Sequence, residues 1–204
     1  MDMMQSILLT IATAATPLLI AAIGELVVER SGVLNLGVEG MMVIGAVVGF
    51  AVSLSTGSPW LGVLAAIIAG ALFSLPFAFI TLSLVTNQVA TGLALTLAGL
   101  GLSGLIGELF VGQAGVRLAN IHIPVLTDLP VVGRLLFGQD PIFYISLLLV
   151  AAVSWFLFKT RAGLTLRSVG DNHTSAHALG IPVIKVRYLA VMFGGACAGL
   201  AGAH

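Results

Sequence analysis

The feature that most constrains this chain is a stretch without Asp, Glu, Lys or Arg, the 68 residues from 40 to 107 between Glu39 and Glu108. A helix of that length would run on the order of 100 Å, about three times the hydrocarbon core of a bilayer. The stretch must therefore fold back through a membrane more than once. Only 8% of the 204 residues are charged and 59% are hydrophobic, whereas soluble domains carry about a quarter charged residues. A cytosolic globular protein is excluded.

Apolar runs bounded by charges or turn residues predict an all-α polytopic membrane protein with about six transmembrane helices in a single domain, residues 1–204. Each run has about the length that a bilayer requires, and helix is expected because lipid cannot satisfy free backbone groups. The 25 glycines predict close packing of these helices. The predicted spans are residues 7–23, 33–54, 60–85, 89–110, 141–158 and 188–204.

The basic residues predict the orientation, because Lys and Arg concentrate in cytoplasmic loops. Loop 159–187, between helices five and six, is therefore predicted to be cytoplasmic, with Arg30 on the same side. The N-terminus and the loop with Arg117 and Arg134 are then outside. Loop 159–187 holds five of the eight basic residues, Lys159, Arg161, Arg167, Lys185 and Arg187.

Polar residues concentrate in segment 24–42, at the predicted inner face. A helix that starts at residue 33 would place Glu39 on the order of 9 Å inside the membrane, where an ionisable group suggests a function or a buried partner. Asn35, four residues earlier, would share its helical face. We predict that both line a substrate pathway; the alternative is that Glu39 pairs with Arg30 or caps a helix break. Further pathway candidates, with interface hydrogen bonding as their alternative, are Asn87 and Gln88.

The basic loop carries the signals of a short helix. Asp171 or Asn172 can cap its start, Gly180 suits a left-handed stop, and Pro182 prevents continuation. The predicted helix spans about two turns, from Asn172 to Leu179. A helix so short is marginal in water, so it needs a docking surface within the protein or on a partner.

Other chemistries find little support in the polar residues. His173 and His177 have a metal-binding spacing, but no third ligand is placed to complete a site, so no metal is expected. Ser103 and His177 occur in short rhomboid-protease-like motifs but are predicted on opposite sides of the membrane, so no catalytic residue is assigned. The chain has no GxxxxGK[ST] nucleotide motif, so it is not expected to be an enzyme. The zero net charge argues against nucleic-acid binding.

Two motifs point to a family. The run from Glu29 to Met42, with the pattern Glu-Arg-Ser-Gly-Val-x-Asn-x-Gly-x-Glu-Gly, resembles the inner segment of bacterial ABC-importer permeases of the ribose and branched-chain amino-acid permease superfamily. It is closest to their nucleoside and simple-sugar branch. Loop 161–181 resembles the coupling loop of the same family. The similarity extends from about Thr16 to the last residue.

This resemblance implies a permease subunit in the bacterial cytoplasmic (inner) membrane. It would import nucleosides or simple sugars by alternating access, together with a second permease, ATP-binding subunits and an extracytoplasmic substrate-binding lipoprotein. ATP and Mg would be held by the ATPase subunits, with no cofactor in this chain. An ion-coupled secondary transporter or channel is the alternative, supported by Glu39 and the glycine-rich helices. The implied ATPase-coupling residues are Gly170, Asp171, Asn172, Ala176, Ala178, Leu179 and Gly180.

The end of the sequence departs from the family pattern. Family members continue with several more spans beyond the coupling loop, whereas this sequence ends at His204, within its sixth predicted helix. We therefore expect a C-terminally truncated reading or a fragment.

Overall fold

The structure, a computed structural model, describes residues 3–115 and 138–204, with side chains from residue 7 onwards. Arg117 and Arg134, which are predicted to lie on the outer side of the membrane, are not among the described residues. Helix α3 continues into a π-helical turn, Phe79–Ser83, and α4 into a 3-10 turn, Glu108–Phe110. The helices are α1 (Met3–Arg30), α2 (Val38–Thr56), α3 (Pro59–Ala78), α4 (Gln88–Gly107), α5 (Pro141–Lys159), α6 (Arg161–Asp171), α7 (His173–Ala178) and α8 (Val183–Ala203).

Within the described residues, six helices are long and apolar enough to cross a membrane. This confirms the predicted all-α fold with six spans. They are Ile7–Arg30, Val38–Thr56, Pro59–Ser83, Gln88–Phe110, Pro141–Lys159 and Val183–Ala203.

Three boundaries differ from the sequence prediction. Helix α1 continues to Arg30 rather than residue 23, because its buried face, with Val27 and Val28 4% and 0% exposed, runs past Glu25. Helix α2 begins at residue 38 rather than 33. Helix α8 begins at residue 183 rather than 188, with Val183 buried in its first turn.

Helix α8 lies at the centre of the bundle and packs against α1, α2 and α3. Its glycines bring the backbones into contact: a Cβ added at Gly199 would meet the carbonyl oxygen of Ala66 on α3, and one at Gly202 would meet that of Met42 on α2. Dispersion and close backbone approach hold such helices together in lipid. These glycines of α8 therefore pack helices, as predicted.

Helix α4 joins the bundle mainly through α2. A Cβ at Gly99 would lie 2.7 Å from the Cα of Gly40 on α2, so these two glycines set the spacing. Gly101 and Gly104 lie elsewhere on α4, and a Cβ at either would meet nothing within 4 Å among the described residues. Among the described residues, therefore, only part of the glycine set on α4 packs against a neighbouring helix.

The ends of the helices near Arg30, Gln88 and Lys159 lie at one end of the bundle together with α6 and α7. We call it the basic end.

The glycine contacts predict a difference between two identical substitutions. Gly199→Ala should lower the stability of the protein by about 1–3 kcal/mol, since the added methyl overpacks the α3–α8 contact. Gly104→Ala should not, because its methyl would lie within 4 Å of none of the described residues and alanine favours helix. Thermal unfolding of the detergent-solubilised protein measures both. Equal midpoints for the two variants would contradict this packing.

Candidate functional site

Between α1 and α2 the chain leaves helical geometry. We call residues Val33–Gly37 the interrupted segment; in it Val33, Asn35 and Gly37 are buried and the two leucines between them are exposed. The segment lies between two membrane-length helices. Each backbone group without a partner in an apolar environment costs several kcal/mol. The hydrogen bonds of the interrupted segment, which we also call the break, therefore decide whether this non-helical backbone is stable.

Asn35 and Glu25 hold the middle of the interrupted segment. The backbone N–H of Asn35 donates to Oε1 of Glu25 on α1 at 3.0 Å. Oδ1 of Asn35 accepts the N–H of Gly37 at 3.0 Å, and its Nδ2 lies 3.7 Å from Sδ of Met41. With 2% of its surface exposed, Asn35 uses its side chain to shape the turn into α2.

Helix α4 holds the other side of the segment. Oε1 of Gln88 accepts the N–H of Leu34 at 2.8 Å, and Oγ1 of Thr96 donates to the carbonyl oxygen of Leu36 at 3.1 Å. Asn87 is exposed and caps α4, since its Oδ1 accepts the N–H of Ala90 at 3.1 Å. The first half of α4 is thus tied to the interrupted segment.

The relation between Asn35 and Glu39 differs from the sequence expectation. Because α2 begins only at Val38, Asn35 lies in the break and does not share a helical face with Glu39. Glu39 lies in the first turn of α2, where a carboxylate complements the helix dipole, and is exposed on this chain. It is therefore one residue into the helix and not six. The pathway roles of Asn35, Glu39, Asn87 and Gln88 remain predictions.

Loop 159–187 contains a helix, α6, that the sequence analysis did not anticipate. Oγ1 of Thr160 accepts the N–H of Gly163 at 3.0 Å and caps it. Its buried side consists of Gly163, Leu166 and Val169, a spacing of three that could have indicated the helix. A Cβ at Gly163 would meet the carbonyl oxygen of Phe156, so α6 lies tightly against α5.

The predicted short helix is confirmed as α7. Oδ1 of Asn172 accepts the N–H of Ser175 at 3.0 Å, and Gly180, at φ +80°, ends the helix in the left-handed region. Ala176 is 2% exposed and packs with Val169 and Val183. Leu179 is 80% exposed. Ala176 therefore packs α7 against the rest of the protein, whereas Leu179, directly after the helix, is apolar and exposed.

Gly170 and Arg187 connect this loop to the interrupted segment. A Cβ at Gly170 would meet the carbonyl oxygen of Arg30, and one at Gly32 would lie 3.2 Å from the Cα of Gly170. Nε of Arg187 donates to the carbonyl oxygen of Ser31 at 3.0 Å. Helices α6 and α8 thus both touch the turn that leads into the break.

A cavity of about 870 Å³ lies at the opposite end of the bundle and is lined by residues of α1 to α5 and of α8. Phe50, Ser53, Ser103 and Phe110 are among its lining residues, and none of the four predicted pathway residues is. Ser103 is thus at the other end of the bundle from α7, which carries His177. The two side chains are not brought together, which argues against a serine protease.

Six membrane-length helices in the described part of the chain, two of them joined by the interrupted segment, define a polytopic helical membrane protein. Over residues 7–204 the chain matches the family described as the branched-chain amino acid transport system permease component, and it belongs to that family. No solved structure matches the chain.

Curated relatives are similar over most of the chain. It is 44% identical over 195 residues to a putative glucose ABC transporter permease of Haloferax volcanii, covering 94% of this chain and 59% of that protein. It is 41% identical to the guanosine ABC transporter permease of Bacillus subtilis, covering 92% and 63%. It is 34% identical to the nucleoside ABC transporter permease of Lactococcus lactis, covering 98% and 67%. The chain thus spans about three fifths to two thirds of these proteins.

The bonding of the break predicts a difference between two threonine substitutions. Thr96→Val should lower stability by about 1–3 kcal/mol, because the Leu36 carbonyl loses its donor in a partly buried place. Thr13→Val removes only a bond to the Leu9 carbonyl one turn back in α1, and should be nearly neutral. Thermal unfolding in detergent compares them; an unaltered midpoint for Thr96→Val would contradict the bonding described.

Proposed function

We propose that this chain is the membrane-spanning permease subunit of an ATP-driven importer of nucleosides or simple sugars. The names of its relatives support this function over an ion-coupled transporter or channel. The observation that carries it is the contact of α6 and α8 with the turn into the interrupted segment. Through this contact, a movement of α6 at the basic end would be transmitted to the interrupted segment.

Helix α7 is the proposed docking element for the ATPase. Leu179 and Ala178 are exposed and apolar at its end, where a partner can bury them. Ala176 does not face that partner, because it packs under α7 against Val169 and Val183. Its role is to transmit movement of α7 to α6, and a bulky side chain there would separate the two helices.

The cap and the stop of α7 keep its docking residues in place. Asn172 holds the first turn, exposed Asp171 ends α6 just before it, and Gly180 allows the chain to turn back toward α8. Gly170 is the point at which α6 touches the backbone of α1. These residues therefore act as a rigid link between the docking surface and the break.

Movement of the link would reach the pathway through the break. The interrupted segment is tied to α1 by Glu25 and to α4 by Gln88 and Thr96, so a shift of Gly170 is passed to both helices. ATP binding on the partner would favour one facing of the pathway by contacting one state better than the other. Broken helices at the pathway are a recurrent device of transporters.

The four predicted pathway residues have different parts in this proposal. Glu39 and Asn87, both exposed on this chain, would face the pathway. The side chains of Asn35 and Gln88 accept hydrogen bonds from the backbone of the interrupted segment, and both residues would form part of the pathway wall. The carboxylate and amide groups of these four residues would provide hydrogen-bond donors and acceptors for the hydroxyl groups of a sugar or nucleoside.

The proposed assembly contains a second permease, ATP-binding subunits that hold ATP and Mg, and an extracytoplasmic substrate-binding lipoprotein. It would lie in a bacterial cytoplasmic membrane, with the N-terminus outside and the basic end inside, as the positive residues favour.

The docking role of α7 predicts a difference between two exposed leucines. Leu179→Ala should reduce both ATPase co-purification and uptake of labelled guanosine or glucose about tenfold, since a buried anchor at an interface contributes 1–2 kcal/mol or more. Leu105→Ala, on α4 and 69% exposed, should change neither. Wild-type ATPase binding and uptake by Leu179→Ala would contradict the proposal.

A further inference from the structure

We infer that Glu25 is a positioning residue for the interrupted segment. Its side chain is long enough to place an acceptor oxygen at the backbone N–H of Asn35, and it does not act by carrying a proton or cation. Where transport is concerned, this inference rests on the proposed function. Its structural part does not, because it concerns the hydrogen bond between Glu25 and Asn35.

The backbone that carries Glu25 is fixed in place. Its neighbour Gly24 packs against Cys197 and Gly194 of α8, and Val28, one turn further along, is fully buried. This packing against α8 opposes a shift of α1 toward the interrupted segment when the side chain is shortened. The distance from α1 to the Asn35 N–H has to be spanned by the side chain of residue 25 itself.

The bond that Glu25 makes is central to the break. This bond joins the backbone of Asn35 to α1, and the side chain of Asn35 in turn accepts the N–H of Gly37 and approaches Met41. Without the Glu25 acceptor, a buried N–H loses its partner, which favours any arrangement that exposes it to water. The loss should loosen the segment from Val33 onward.

The second carboxylate oxygen of Glu25 separates two possible roles. Oε2 is buried and has no hydrogen-bond partner among the described residues. A carboxylate within a membrane helix commonly serves a proton or cation relay, which would need an ionisable group here. A positioning role needs only Oε1, so glutamine can replace glutamate. Aspartate keeps the carboxylate but is one methylene too short.

Thiol labelling of the assembled complex in liposomes tests this. Cys197 is the one cysteine in the sequence and is buried, so Cys197→Ala provides a background without thiols in this chain. Val33→Cys then introduces a thiol at a position that is 1% exposed. The measured quantity is the rate at which a maleimide modifies that thiol.

The inference predicts an order among three variants. Glu25→Gln should label at the rate of the parent protein, whereas Glu25→Asp and Glu25→Ala should label roughly tenfold faster, the factor expected for one lost hydrogen bond. Glu29→Ala is the matched control, because Glu29 is one turn further along α1 and exposed. It should label like the parent. A parental rate for Glu25→Asp would overturn the inference without requiring the alanine variant to fold.

Uptake of labelled guanosine and glucose separates positioning from a relay. We expect Glu25→Gln to retain uptake and Glu25→Asp to lose most of it. Retention in the aspartate variant with loss in the glutamine variant indicates a relay and overturns the inference. If the parent complex takes up neither compound, the proposed function fails, while the labelling rates still decide the role of Glu25.

Discussion

Backbone hydrogen bonding inside a membrane is the constraint on which the structure depends. A spanning helix satisfies its own N–H and C=O groups, but the interrupted segment cannot. Glu25 from α1 and Gln88 and Thr96 from α4 provide the missing partners, and Asn35 provides one from within. The break is therefore held by side chains from several elements, and a change in any of them reaches it.

Close backbone contacts at the basic end couple the interrupted segment to α6 and α8. Gly170 and Gly32 allow α6 to lie directly on the turn that ends α1, and Arg187 ties α8 to the same turn. Side chains between these backbones would absorb small movements, whereas direct contact passes them on. The proposed docking of an ATPase on α7 would thus act on the interrupted segment through the turn that precedes it.

Local signals in the sequence were sufficient for part of this picture. The lengths of the apolar runs predict six spans, and the Asn172 cap with the Gly180 stop predicts α7, since each depends on neighbouring residues. The break could not be predicted in this way, because Val33–Gly37 resembles the start of an apolar span. What stabilises it is the pair of hydrogen bonds from Asn35 to Glu25 and from Thr96 to Leu36, whose partners are far apart in the chain. Only the fold brings such partners together.

Hydrogen–deuterium exchange of the protein in lipid nanodiscs tests the bonded break most directly. The N–H groups of Leu34, Asn35 and Gly37 each have an acceptor, so their exchange should be as slow as that of the adjoining turns of α1 and α2. The central claim is that hydrogen bonds to side chains hold the interrupted segment in place. It would be contradicted if these three N–H groups exchanged as fast as those of the exposed residues Ala114 and Gly115.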